Sequence, residues 1–454
     1  MSALMSYPGH VRAIAVLGLP LIGGHLAQFA IGLTDTVMLG WYGVTALAAV
    51  TLAGSYFFLF FMLGSGFAFA VMPMVAAAAA SGDDVAIRRT TRMALWLSMA
   101  YALVVMPALW WSGQILQLLG QNEEVATLAA QYLRVAGWGL IPALIVMVLK
   151  SYLAALERTQ IVLWITLAAA LSNGFANYAL IFGNWGAPEL GMMGAAIASV
   201  LSHSVSLVAI ILYALFALPH HSLFQRLWRP DWEMFRAVFR LGLPIGLTTL
   251  SEVSLFAASA MMMGWLGTIA LAAHGIVITV TAGTFMIHLG LSNVATIRAG
   301  NAYGRQDRAH MARGAVVAIC LSLMVAVITS IVFLLFPKSL ISLFLEADDP
   351  ALGDILAIGV GLFAAAALFQ LVDSAQAIAL GLLRGVQDTG GPMVIATLSY
   401  WAAGIPVSYV LGFKMGMGGV GIWLGLAVGL ACAGAFLMFR FWRRSIIKVG
   451  QGAR

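Results

Sequence analysis

Displaced by 224 positions, the sequence lies on itself without a gap: Leu17-Gly18-Leu19-Pro20 meets Leu241-Gly242-Leu243-Pro244, and Met38, Gly40, Trp41 and Gly43 meet Met262, Gly264, Trp265 and Gly267. The run Ala46-Leu47-Ala48-Ala49 then falls on Ala270-Leu271-Ala272-Ala273, so 13 of the 33 positions from Leu17 to Ala49 are identical. The same register pairs Phe61-Met62 with Phe285-Met286, Gly66 with Gly290, Asp83 with Asp307 and Arg89 with Arg313. One register held over about seventy residues means that the two halves of the chain are copies of one folding unit. In membrane proteins such halves commonly enclose a transport path.

The solvent for these halves follows from composition. The chain is 62% hydrophobic and 9% charged, against roughly 25% charged residues in a soluble domain. Twelve apolar runs long enough to cross a bilayer are centred near residues 25, 62, 102, 137, 171, 203, 249, 285, 325, 367, 402 and 430. Each must be a helix, because lipid offers the backbone no other partners. The expected fold is an all-α polytopic membrane protein with an N-terminal six-helix lobe at 1–218, a cytoplasmic connection at 219–236 and a C-terminal six-helix lobe at 237–454. An even number of helices per copy makes the lobes parallel repeats, related by a pseudo-two-fold axis along the membrane normal.

With both termini cytoplasmic, the inner loops and termini hold 20 of the 23 Lys and Arg, leaving Lys338 and Lys414 outside and Arg134 within a helix. That positive-inside bias gives the topology, and the expected location is the cell's inner (plasma) membrane. Glu123-Glu124 and Glu346-Ala347-Asp348-Asp349 fall in outer loops. The net charge of +6 belongs to the inner loops and does not imply a nucleic-acid partner. Met1-Ser2-Ala3-Leu4 begins no evident cleavable signal, and the first helix reads as a retained span. Phe224–Arg229 has the pattern of an amphipathic surface helix.

Three carboxylates stand apart from the loops: Asp35 in the first helix, Glu252 in the seventh and Asp373 in the tenth. Each costs roughly 2.5–3.5 kcal/mol at mid-membrane on insertion scales, and such residues usually mark an ion or proton path. The bland alternative is a neutral carboxyl bonded to a neighbouring helix. Glu252 aligns with Gln28, and Asp35 with Ser259, so the copies share a scaffold but not their acids. Glu252 and Asp373 can converge to hold one monovalent cation or share a proton. Asn173 and Asn177, four residues apart, face the same way and could form a network with Asp35 or simply pack between helices.

His25, His203, His274 and His288 lack metal-ligand spacing and read as helix-interface residues. Cys320 and Cys432 read as packing residues, and Pro20 and Pro244 as equivalent kinks. There is no HExxH or GxSxG motif, no cofactor is expected, and the chain reads as a non-enzyme.

The segment Gly32-Leu33-Thr34-Asp35-Thr36-Val37-Met38-Leu39-Gly40, Glu252, and Phe369-Gln370-Leu371-Val372-Asp373-Ser374-Ala375-Gln376 with the following Gly381-Leu382-Leu383-Arg384-Gly385 and Asp388-Thr389 resemble the multidrug and toxic compound extrusion (MATE) family, in its NorM-type branch. The resemblance spans the whole chain. It implies two six-helix lobes around a central cavity and export of small lipophilic cationic drugs or dyes in exchange for sodium ions or protons, by a monomer among membrane lipids. Glu252 and Asp373 match the acids that bind the coupling cation, at most a monovalent sodium site. Asp35, Asn173 and Asn177 match the polar network of the first lobe. Other branches carry Asp where Asn177 stands, and some sodium-coupled members carry Tyr where Phe369 stands. The competing expectation is a flippase of lipid-linked intermediates, which would need basic residues in its cavity.

Overall fold

The computed structural model describes residues 5–345 and 350–449, apart from the side chain of Val44. The expectations for Met1–Leu4 and for Glu346–Asp349 lie outside the described residues. No strand occurs among the described residues, and twelve helices are long and apolar enough to cross a membrane. They are α1 Tyr7–Tyr42, α2 Thr45–Ser81, α3 Asp84–Trp110, α4 Glu123–Ala155, α5 Thr159–Phe182, α6 Met192–Ala217, α7 Trp232–Leu266, α8 Thr268–Gly304, α9 Arg308–Leu335, α10 Leu352–Gly385, α11 Gly390–Lys414 and α12 Gly418–Lys448. Each expected centre falls inside its helix. The chain is an integral membrane protein.

Two compact units emerge: Gly23–Gly246, and Met1–Ile22 together with Leu247–Arg454. The division falls inside α1 and α7, near Pro20 and Pro244, which both helices carry without interruption. The opening half of each of these helices therefore packs with helices of the other sequence repeat, where a cut at the connecting loop would have left it with its own.

Repeat symmetry is visible in the contacts within each unit. A Cβ on Gly66 would lie 2.4 Å from the Gly246 nitrogen, and one on Gly290 would lie 2.5 Å from Ile22 Cγ1. Those two pairs are equivalent under the 224-residue register. The α2–α3 and α8–α9 corners match as well. Gly82 and Gln306 take left-handed backbone (φ 75° and 54°). The carboxylates of Asp83 and Asp307 then accept from the nitrogens of Ala86 and His310, at 2.8 and 2.9 Å. Each satisfies one of the otherwise unpaired first-turn donors of the following helix.

In the second unit α8 and α10 pack most closely. The Ser292 hydroxyl donates to the Ala377 carbonyl at 2.6 Å and that of Thr296 to the Gly381 carbonyl at 2.9 Å. A Cβ at Gly381 would be 2.5 Å from the Ser292 carbonyl oxygen, so only glycine allows this approach. The facing α11 contains π-type turns at Ser399–Gly404 and Val410–Lys414, a distortion that frequently accompanies functional sites.

Candidate functional site: two buried acid networks

In the Gly23–Gly246 unit, Asp35 on α1 meets α5. The Asn177 amide donates to Asp35 Oδ1 and, at 3.1 Å, to Asn173 Oδ1. Both asparagines are buried, at 0% and 1% exposure, while Asp35 is half-buried. The four-residue spacing puts the two amides on one face of α5, and that face is turned to Asp35. Tyr132 of α4 lies within electrostatic reach of Asp35 and interacts with Ser199. Sequence reasoning misses Tyr132, because nothing local distinguishes it from other buried aromatics.

In the second unit, α7 and α10 bring Glu252 and Asp373 within electrostatic reach of each other. Phe256, one turn after Glu252, packs edge-on to Phe369, one turn before Asp373, at 5.9 Å between centroids. Phe369 packs in turn on Trp423 at 5.4 Å, whose indole donates to His274 Nδ1 at 3.1 Å. Phe369 thus contributes an apolar wall and no oxygen. His274 is an acceptor in a buried aromatic stack, as an interface histidine would be, and His288 contacts the Ser322 hydroxyl at 3.0 Å.

Asp373 is 2% exposed, and its Oδ1 has no hydrogen-bond partner among the described residues. Two further acceptors on α10 share that condition, Gln370 Oε1 and Gln376 Oε1, both residues being fully buried. Their amide nitrogens are occupied: Gln370 donates to the Thr284 hydroxyl, and Gln376 to the Tyr400 hydroxyl at 2.6 Å. Residues 370, 373 and 376 recur at three-residue spacing, so one stripe of α10 carries three buried oxygens that accept nothing from the described residues. Buried acceptors left in this way cost about 1–3 kcal/mol each. The donor set fits an oxygen-seeking monovalent cation or a proton on the carboxylate, either of which would remove that cost. Among the described residues, no group of three or more His, Cys, Asp or Glu is placed to hold a metal ion.

Sequence reasoning misses two basic neighbours of the buried acids and histidines. Arg384, three turns beyond Asp373 on α10, is within electrostatic reach of Glu252 and Tyr400. Charge counting along the chain groups it with an inner loop. Lys150 likewise lies inside α4, half-buried, with His25 and His203 in its field. Arg134 is therefore not the only basic residue on a spanning helix. Cys320 is exposed on α9 instead of packed, and Arg134 is exposed within α4, its guanidinium carbon 6.0 Å from the Trp110 ring centroid.

Twelve spanning helices in two sequence copies, each copy with an acid on a spanning helix, define the architecture of a membrane transporter. The MatE family model matches twice, over residues 20–179 and 244–410, beginning 244 − 20 = 224 residues apart as the repeat does. A relative from Rhizobium meliloti, described as "Probable multidrug resistance protein NorM", is 44% identical over 443 residues, covering 96% of this chain and 94% of its own. Among solved structures, a multidrug resistance MATE family transporter of the MOP superfamily in an outward-facing conformation has a TM-score of 0.87 at 20% identity, covering 97% of this chain and 96% of that one. A MOP superfamily transporter from Pyrococcus furiosus, described as having a binding pocket of reverse polarity, also has a TM-score of 0.87 at 20% identity, covering 97% of this chain and 96% of that one. The chain belongs to the MATE family, and its NorM-named relatives place the match in that branch.

Proposed function

We propose that the protein is a secondary active multidrug exporter, moving lipophilic organic cations outward in exchange for sodium ions or protons by alternating access. The observation that carries this reading is the stripe of buried oxygens around Asp373 that accept nothing from the described residues, with Glu252 within electrostatic reach of Asp373. An inward-facing cavity with unoccupied carboxylates attracts a cationic drug, whose aromatic neighbours add cation–π attraction. Outward exposure lets sodium or protons neutralise Glu252 and Asp373, which weakens the hold on the drug and releases it. A potential of 100 mV supplies roughly 2.3 kcal/mol per charge moved. The similarity to the Rhizobium relative, described as a probable multidrug resistance protein, supports a multidrug cargo. The Asp35–Asn177–Asn173 network is a second point at which protonation can bias release.

One observation favours the alternative of an anionic, lipid-linked cargo: Lys150 is a basic group within a spanning helix, with His25 and His203 in its field. Proteoliposome efflux of ethidium under an imposed sodium gradient at constant pH, and under a proton gradient without sodium, separates the readings. Efflux driven by either gradient supports the exporter. Failure of both, with movement of a pyrophosphate-bearing lipid across the bilayer, would replace it with the flippase.

A further inference from the structure

The 224-residue register aligns two contacts that the transport reading leaves unused. Arg89 on α3 corresponds to Arg313 on α9, and Asp231 before α7 corresponds to Tyr7 at the start of α1. In the Gly23–Gly246 unit, Arg89 Nε donates to Asp231 Oδ2 at 2.5 Å, and its Nη2 donates to Asp231 Oδ1 at 3.2 Å and to Glu233 at 2.9 Å. Asp231 also accepts from the Met234 nitrogen at 3.1 Å, capping α7. Arg92 and Trp96, further along the same face of α3, donate to the carbonyls of Gln225 and Leu227.

In the second unit the matching arginine makes the matching grip with different chemistry. Arg313 donates to the Met5 carbonyl at 3.2 Å and lies 5.4 Å from the Tyr7 ring centroid. One turn on, His10 packs at a tilt against His310, 4.6 Å between ring centroids, and takes a contact from Arg298 at 3.2 Å. His10 and Gly314 are the register equivalents of Met234 and Thr90, which touch each other at 3.4 Å. A Cβ on Gly314 would lie 3.5 Å from His10 Nδ1, so that contact is kept as well.

We propose that Arg89 and Arg313 are matched clamps on the opening halves of α7 and α1, and that the ionic clamp on α7 outlasts the neutral clamp on α1, which is therefore the first of the two to loosen. The ionic clamp joins one guanidinium to two carboxylates through three hydrogen bonds, and such bidentate pairs of opposite charge are stronger than contacts from Arg313 to a carbonyl and a ring. This deepens the alternating-access reading by naming the segments that must move, and it rests on that reading.

The test reads the clamps directly and needs no cargo. Ile14 and Val238 are register equivalents, 1% and 0% exposed, on the two opening half-helices. With Cys320 and Cys432 replaced by serine, Ile14→Cys and Val238→Cys proteins are treated with a water-soluble maleimide under native conditions. The expected result is labelling at least threefold faster at position 14 than at 238. Arg89→Gln should accelerate labelling at 238 at least threefold without changing position 14, and Arg313→Gln the reverse. Molar salt should accelerate position 238 alone, since it screens the ion pair. Exchanging the charges, Arg89→Asp with Asp231→Arg, should restore the slow rate and so exclude general misfolding. Unchanged labelling at 238 in Arg89→Gln, or equal acceleration at both positions, would overturn the proposal. If labelling behaves as expected while the wild type moves no dye under any gradient, the clamps stand and the exporter reading fails. If dye efflux is driven but the arginine variants leave labelling unaltered, the exporter reading stands and the clamps fail.

Discussion

Asp35 and Asp373 sit in copies of one scaffold, yet what reaches their carboxylates differs. Asp35 receives the Asn177 amide, which is itself fixed by Asn173. Asp373 lies on a stripe with two glutamine oxygens, and its Oδ1 receives nothing from the described residues. A carboxylate supplied with donors is stable as it stands, whereas a surplus of acceptors is stable only when something positive joins it. Duplication therefore produced one acid that is held and another that is left to be filled. The alignment of Glu252 with Gln28 and of Asp35 with Ser259 is the sequence trace of that division.

The contrast is broken most severely at Asp373. Asp373→Asn keeps the shape but removes the charge, and is predicted to reduce gradient-driven dye efflux to background while expression and detergent-extracted yield stay at wild-type levels. Glu252→Gln is predicted to lower the apparent affinity for the coupling cation about tenfold, equivalent to about 1.4 kcal/mol, read from the cation dependence of the efflux rate. Asn177→Ala should act in the opposite manner, on stability more than on coupling. It strips Asp35 of a donor and should cost about 1–3 kcal/mol, measured as a lower midpoint of thermal unfolding, with efflux only partly reduced.

Smaller effects sharpen the edges. Tyr400→Phe removes the partner of the Gln376 amide and should cost about 1 kcal/mol, read in the same melt. At Asp231 the Arg89 guanidinium holds the carboxyl below its ordinary value of 3.8. Because the folded state depresses this value, the ion pair contributes its stability above about pH 4 and loses it as pH falls through the lower, folded value. With Asp231 partly exposed, the contribution is at most about 1 kcal/mol. Stability measured from pH 6 down to pH 3 should fall less in Asp231→Asn than in the parent.

The sequence is most legible where lipid dictates the outcome. Apolar length places all twelve helices, and the repeat register reappears in equivalent contacts such as Gly66 on Gly246 and Gly290 on Ile22. The Asp35 network is readable because helix periodicity alone aligns Asn173 with Asn177. Tyr400, Arg384 and Lys150 are not, since their significance comes from helices distant in sequence. Nor is the exchange of opening half-helices, because a repeat shows which segments are alike and not which ones pack together. Phe224–Arg229 has the pattern of an amphipathic helix but forms successive turns. Ser222 and Arg226 take left-handed backbone, and the carbonyls of Gln225 and Leu227 accept from Arg92 and Trp96 of α3, so the segment serves as a strap bonded to α3.

The most direct test of the central claim is ethidium efflux from proteoliposomes holding wild type, Asp373→Asn or Asp35→Asn, each driven in turn by a sodium gradient and by a proton gradient. If the unfilled oxygens of α10 receive the coupling cation, at least one gradient drives the wild type, Asp373→Asn is inactive under both, and Asp35→Asn keeps part of the rate. Efflux by Asp373→Asn at the wild-type rate would contradict the account.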